Sequence, residues 1–116
     1  MASSEALKSR LLEIGSKLGN PPTSVNELLS LLDRVEVYLS LVKQSPPKKF
    51  MNALSPTLKA LVSDKLLSHV DVDVKVSLAA CFSQIMRITV PKFPYDDDQM
   101  MKEVFQLIVS SFESLG

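Results

Sequence analysis

The stretch from Asp71 to Tyr95 reads DVDVKVSLAACFSQIMRITVPKFPY. Its reading decides the fold. Asp71 and Asp73 stand where a helix begins, because a carboxylate there accepts from the free N–H groups of the first turn and complements the positive end of the helix dipole. Behind them Val74, Leu78, Cys81 with Phe82, Ile85 and Ile88 with Thr89 recur at helical spacing. Ala79 and Ala80 add a small flat patch on which another helix can approach closely. Pro91 and Pro94 end the segment, since proline lacks the N–H that a helix interior needs. The run Val70–Val76 does alternate apolar and polar residues, but it feeds straight into this helix, and a lone strand would have no partner. If another apolar helix precedes it, the segment is the second half of a helical hairpin repeat, an architecture that holds partners rather than performing chemistry.

Upstream, the same periodicity predicts the preceding helices. The first starts near Ser3 or Ser4 and carries Leu7, Leu11, Ile14 and Leu18 on one face, with Lys8, Arg10, Glu13 and Lys17 opposite. Gly19 is expected as a left-handed cap, followed by Pro21 and Pro22. Ser24 and Glu27 have the spacing of a capping box. The second helix should then run to about Lys43, burying Leu28, Leu31, Leu32, Val35, Leu39 and Val42, with Leu29 and Tyr38 widening the stripe. Apolar spacing resumes after Pro46-Pro47 through Phe50, Met51, Leu54, Leu58, Leu61, Val62 and Leu66. Pro56 in its midst predicts a short helix, a break at Ser55 and a longer helix from Pro56 to about Ser68. Downstream of Tyr95, Asp96 and Gln99 sit at capping-box spacing. The last helix continues through Met101, Val104, Phe105, Ile108, Phe112 and Leu115.

The chain of 116 residues, 46% apolar and 22% charged, suits one helical domain with a modest core. Thirteen basic residues balance thirteen acidic ones, and the largest basic cluster, Lys43, Lys48 and Lys49, is too thin for a dedicated nucleic-acid surface. A single cysteine, Cys81, forms no internal disulfide and points to a reducing compartment. The N-terminus has no apolar region of the secretory type, and no run approaches the roughly 18 apolar residues of a membrane span.

From Pro56 onward the hairpin resembles a HEAT repeat. Pro56, Leu58, Leu61 and Asp64 fill its first half. Val74-Lys75 stands where Val-Arg is usual, after Asp73, with Ala79 and Ala80 behind. A narrower resemblance spans Leu66 to Val109. It is carried by His69, Asp73-Val74-Lys75, Leu78-Ala79-Ala80-Cys81, Ile85-Met86-Arg87, Pro91, Pro94-Tyr95 and Lys102-Glu103-Val104-Phe105. In these residues the chain resembles the N-terminal region of the Pds (precocious dissociation of sisters) cohesion regulators, with wording closest to plant members. The resemblance implies a nuclear, chromosome-associated, non-catalytic scaffold of sister-chromatid cohesion. Its implied partners are the kleisin subunit of cohesin and Wapl-type regulators. The chain would be the N-terminal part of a longer solenoid or a truncated paralogue. Family members carry Ala-Pro-Asp-Ala after the helix equivalent to the one over 74–89, and this chain has Val90-Pro91-Lys92-Phe93 there. The other reading is a short HEAT- or armadillo-like adaptor unconnected with cohesin.

The fold expected is therefore all-α: about five helices in a right-handed stack of antiparallel hairpins that starts a HEAT-type solenoid. The candidate partner-binding residues are Arg87, Val90, Pro91, Lys92, Phe93, Pro94 and Tyr95. Arg87 either meets an acidic partner or is an exposed helix-end arginine favoured by the dipole, and Phe93 either plugs a neighbouring repeat or anchors a ligand. Phe105, Ile108, Val109 and Phe112 form a candidate surface for a following repeat or for a second copy of the chain. Pro56, Asp64, Asp73, Val74, Lys75 and Ala79 define the repeat. No catalytic residue, metal site or cofactor is nominated: His69 and Cys81 fall short of a zinc ligand set, and the Asp71–Asp73 and Asp96–Asp98 groups read as helix caps.

Overall fold

In the computed structural model the backbone of residues 4–89, 95 and 97–115 is described, with the side chains of 5–89, 95 and 97–111. Among these residues there are six helices and no strand: α1 (Ser4–Gly19), α2 (Val25–Ser40), α3 (Lys48–Leu61), α4 (Asp64–Leu67), α5 (Val72–Thr89) and α6 (Asp98–Leu115).

The helix ends follow from local chemistry. Ser24 Oγ accepts from the Glu27 amide at 3.4 Å and caps α2. Asp71, not Asp73, caps α5, accepting from the Val74 amide at 3.1 Å; Asp73 lies in the first turn. At the start of α6, Asp97 Oδ1 accepts from the Gln99 and Met100 amides at 2.8 and 3.1 Å; the expected Asp96 lies outside the described residues. Gly19 is not left-handed, since no described glycine has positive φ. The Asn20 amide instead closes the last turn of α1 on the Lys17 carbonyl at 3.2 Å, so no αL residue is required. Likewise α2 stops at Ser40, short of Lys43, because the Leu41 and Val42 amides turn back to Tyr38 and Leu39.

The main departure from expectation is at Pro56. No break occurs at Ser55; α3 runs through the proline, and the chain breaks at Val62–Ser63 before the short α4. Pro56 has no N–H for the Asn52 carbonyl, a cost of one helix bond. Tertiary packing outweighs it, because α1 lies along α3 at this turn. A Cβ placed on Gly15 would fall 2.8 Å from the Thr57 nitrogen and 2.9 Å from both Pro56 Cβ and Thr57 Oγ1. Gly15 therefore lets the two helices touch almost backbone to backbone, and the Thr57 hydroxyl, fully buried, donates to the Leu11 carbonyl at 3.3 Å.

A second pair is built the same way. α2 lies along α5, and buried Cys81 points its Sγ at the Leu32 carbonyl, 3.5 Å away. The two contacts join residues 46 and 49 apart in sequence, so the second hairpin repeats the first at nearly constant offset. First helices stack on first helices and second on second, as a HEAT-type solenoid requires. α6 then packs on α5 and touches α4. Between the layers runs one apolar cluster, to which all six helices contribute. The expected inner face of α5 is fully realised: Val74, Leu78, Cys81, Phe82, Ile85 and Ile88 are each at most 1% exposed. Burial of one such side chain contributes about 1.5–3 kcal/mol before entropy is counted.

Candidate functional site

The residues nominated for partner binding begin at the C-terminal end of α5. Arg87 is exposed, yet its guanidinium is held against the end of α2 and does not serve its own helix end. Its Nη2 donates to the Val42 and Leu39 carbonyls at 2.9 and 3.0 Å, with the Ser40 carbonyl at 3.5 Å. These oxygens lie at and just beyond the end of α2, where the α-helical ladder runs out. The Leu39 carbonyl also accepts from the Val42 amide at 3.1 Å, and the guanidinium complements the negative end of the α2 dipole. Gln84 steadies the side chain by accepting from Arg87 Nε at 2.9 Å. One residue on, the Ile88 carbonyl accepts from the Ser45 amide at 2.9 Å, where the chain takes a left-handed conformation with φ 54°. The end of α5 is thus fastened to the end of α2 and to the connection leading into α3.

Tyr95 is fixed from the other side. Its hydroxyl donates to the Leu58 carbonyl at 2.7 Å, and its ring meets Phe82 edge-on, with centroids 6.4 Å apart and planes at 76°. Burial, assisted by the nearby Cys81, pushes the phenol well above its ordinary range. The nominated residues between these two anchors, Val90, Pro91, Lys92, Phe93 and Pro94, lie outside the described residues. Sequence pattern nominated both residues but not their acceptors, which lie 37 to 48 residues away.

On α6, Met101, Val104, Leu107 and Ser111 face inward, Ile108 is half-buried, and Phe105 and Val109 are 43% and 57% exposed. The side chain of Phe112 lies outside the described residues. Of the repeat-defining residues, Val74 and Ala79 are buried, Pro56 and Lys75 half-buried, and Asp64 and Asp73 exposed. Asp64 opens α4 rather than ending α3.

The titratable core group is Cys81, whose thiol is pushed up to about 12 by burial first and then by the carboxylates of Glu36 and Asp33. Such a thiol stays protonated at neutral pH and is a poor nucleophile. His69 is half-buried and accepts from the Asp71 amide through Nδ1 at 3.2 Å. Among the described residues no group of three or more His, Cys, Asp or Glu could hold a metal ion, and no helix is long and apolar enough to cross a membrane.

The helices from α2 to α6, with both anchors, fall within the region that matches a family model. Residues 26–116 match the model described as sister chromatid cohesion protein PDS5. The chain belongs to the PDS5 family. Among curated relatives, the Arabidopsis thaliana sister chromatid cohesion protein PDS5 homolog C is 58% identical over 113 residues, covering 97% of this chain and 13% of the relative. Homolog D of the same plant is 46% identical, with the same coverage of both chains. The Saccharomyces cerevisiae PDS5 protein is 39% identical over 93 residues, 80% of this chain and 7% of the relative. The chain thus spans 13% or less of the length of these PDS5 relatives. No solved structure matches it.

Proposed function

We propose that this PDS5-family chain is a non-catalytic, nuclear scaffold segment that docks cohesin, through its kleisin subunit, and Wapl-type regulators on chromosomes. The observation that carries the reading is PDS5 membership over nearly the whole chain. Two features of the fold support it. The stacked hairpins present elongated helical surfaces of the kind that bind protein segments. The two ends of the Arg87–Tyr95 segment are tied to α2 and α3 by hydrogen bonds, which leaves Val90, Pro91, Lys92, Phe93 and Pro94 to supply the contacts. Lys92, basic where family members are acidic, would favour a partner carboxylate. The α6 surface with Phe105, Ile108 and Val109, to which the sequence spacing adds Phe112, would carry a following helical repeat, or a second copy of the chain where that repeat is lacking.

The test is retention of a kleisin N-terminal segment on the immobilised chain. Retention by the parent chain, with loss of about tenfold or more in affinity in a Pro91→Ala/Phe93→Ala variant, fits loss of anchoring contacts at a binding segment. No retention by a chain with native helical circular dichroism would favour the adaptor unconnected with cohesin.

A further inference from the structure

We propose that the cleft between α1 and α2 is a binding site for an extended acidic peptide of a protein partner. It shares no residue with the Arg87–Tyr95 segment or with the outer stripe of α6. Its walls are Arg10, Glu13, Ile14 and Lys17 of α1 with Leu31, Arg34 and Tyr38 of α2. Three cations face one carboxylate there, in a chain whose overall charge is zero. Glu13 pairs with Lys17 at 3.3 Å, an exposed and weak ion pair that leaves Lys17 able to hold a second carboxylate. Among the described residues the guanidinium groups of Arg10 and Arg34 and the hydroxyl of Tyr38 have no ion pair or hydrogen bond. Two arginines on facing helices, uncompensated and lining the same cleft, repel one another unless an anion lies between them.

The geometry specifies the anion. Arg10 and Lys17 lie two turns apart on α1, about 10 Å along the axis. A chain in the extended polyproline-II form advances about 3.1 Å per residue with about three residues per turn, so carboxylates three positions apart lie on one face and match that spacing. Arg34 on the opposite wall can take a carboxylate through its forked guanidinium. Between the charges the floor is aliphatic: Ile14 and Leu31 are 4% and 9% exposed, which suits an apolar residue between the two acids. Phosphate polymers fit less well, because Glu13 would face a phosphate and three cations are few for counterion release. Each exposed pair is weak by itself and screened by salt, so recognition requires the matched set.

The test is fluorescence anisotropy at low salt with the full chain and a short labelled peptide containing Glu-Leu-Ala-Glu. Comparison ligands are its Gln-Leu-Ala-Gln counterpart and mixed-sequence duplex DNA. The Glu peptide should bind about tenfold or more tighter than the Gln peptide, the loss expected when charge-assisted contacts are removed. An Arg10→Glu/Arg34→Glu variant should abolish this preference while keeping its helical circular dichroism. An Arg10→Gln/Arg34→Gln variant should weaken it without charge reversal. A Lys48→Glu/Lys49→Glu variant, with the same change in net charge elsewhere, should retain it. Absence of binding, equal binding of the two peptides, equal loss in the lysine variant, or tighter binding of DNA than of the Glu peptide would each overturn the proposal.

Discussion

The two stacked pairs, α1 on α3 and α2 on α5, solve one packing problem by different means. Each brings a small buried donor, Thr57 or Cys81, against a mid-helix carbonyl of the helix on which it stacks. In the first pair the approach depends on an absent side chain, because Gly15 lies against Pro56 and Thr57. In the second it is secured at the end, where Arg87 and Ile88 bind the terminus of α2 and the turn after it. The first contact tolerates no added atom. The second is an exposed polar clasp bordering the segment proposed to meet partners. Rigidity of the stack and position of the proposed partner segment therefore rest on different residues, and they can be perturbed separately.

The sharpest way to break the first pair is Gly15→Ala. The new methyl would sit under 3 Å from backbone and ring atoms, so the helices must separate. Overpacking of this kind costs about 1–3 kcal/mol, against roughly 1 kcal/mol gained from alanine's helix preference. The net loss, up to about 2 kcal/mol, should lower the melting temperature by several degrees. Gly19→Ala is the internal control, since nothing lies within 4 Å of its added Cβ and its φ is not positive. It should leave stability unchanged or raise it by up to about 1 kcal/mol. Equal losses at both glycines would show that the close approach at Gly15 does not set the spacing.

That contact also marks how far the sequence could be read. Apolar spacing located every long helix and the whole buried face of α5, because periodicity reports which side of a helix faces the core. It placed the break at Ser55 wrongly, since a proline's local cost was outweighed by packing with α1, 46 residues away along the chain. Gly15 carried no signal, because a close approach leaves no pattern in neighbouring residues. The Asp96–Asp98 run announced a cap but not which carboxylate would reach the amides. At the candidate site, Arg87 and Tyr95 were legible as unusual residues at the edge of a proline-bounded segment. Their inward hydrogen bonds were not, because the acceptors are backbone carbonyls of other helices, which any residue type supplies.

The clasp of the second pair is broken by Arg87→Ala. Hydrogen bonds from a charged donor contribute about 1.5–3 kcal/mol when buried, and solvent around this exposed residue reduces the expected loss to roughly 1 kcal/mol. Arg87→Lys should not restore it, since a single ammonium cannot serve both the α2 carbonyls and Gln84. Chemical denaturation with unchanged slope would measure both, and full recovery in the lysine variant would show that charge alone matters. Tyr95→Phe sharpens the same side of the comparison. It removes the bond to Leu58 and keeps the ring against Phe82, so about 1 kcal/mol or less should be lost. A loss as large as that of Tyr95→Ala would mean that the hydroxyl, not the ring, holds the segment.

The smallest effect at neutral pH, and the one with the clearest sign, concerns Cys81. Its thiol is raised from 9.0 to about 12 in the folded chain, chiefly by burial. Below the unfolded value both states carry the proton and the shift changes nothing with pH. Above it the unfolded thiol ionises while the folded one does not, so the unfolded state holds fewer protons and folding stability falls as pH rises. The window runs from about 9 to about 12, with a slope of up to about 1.4 kcal/mol per pH unit. Cys81→Ser keeps a small donor near the Leu32 carbonyl and removes this titration. At pH 7 the two proteins should differ by about 1 kcal/mol or less. Between pH 9 and 11 the parent should lose stability faster than the serine variant, and the lysines and tyrosines common to both cancel in that difference. Parallel stability curves across this range would mean that the thiol ionises as readily in the folded chain as in the unfolded one, which the buried contact between α2 and α5 forbids.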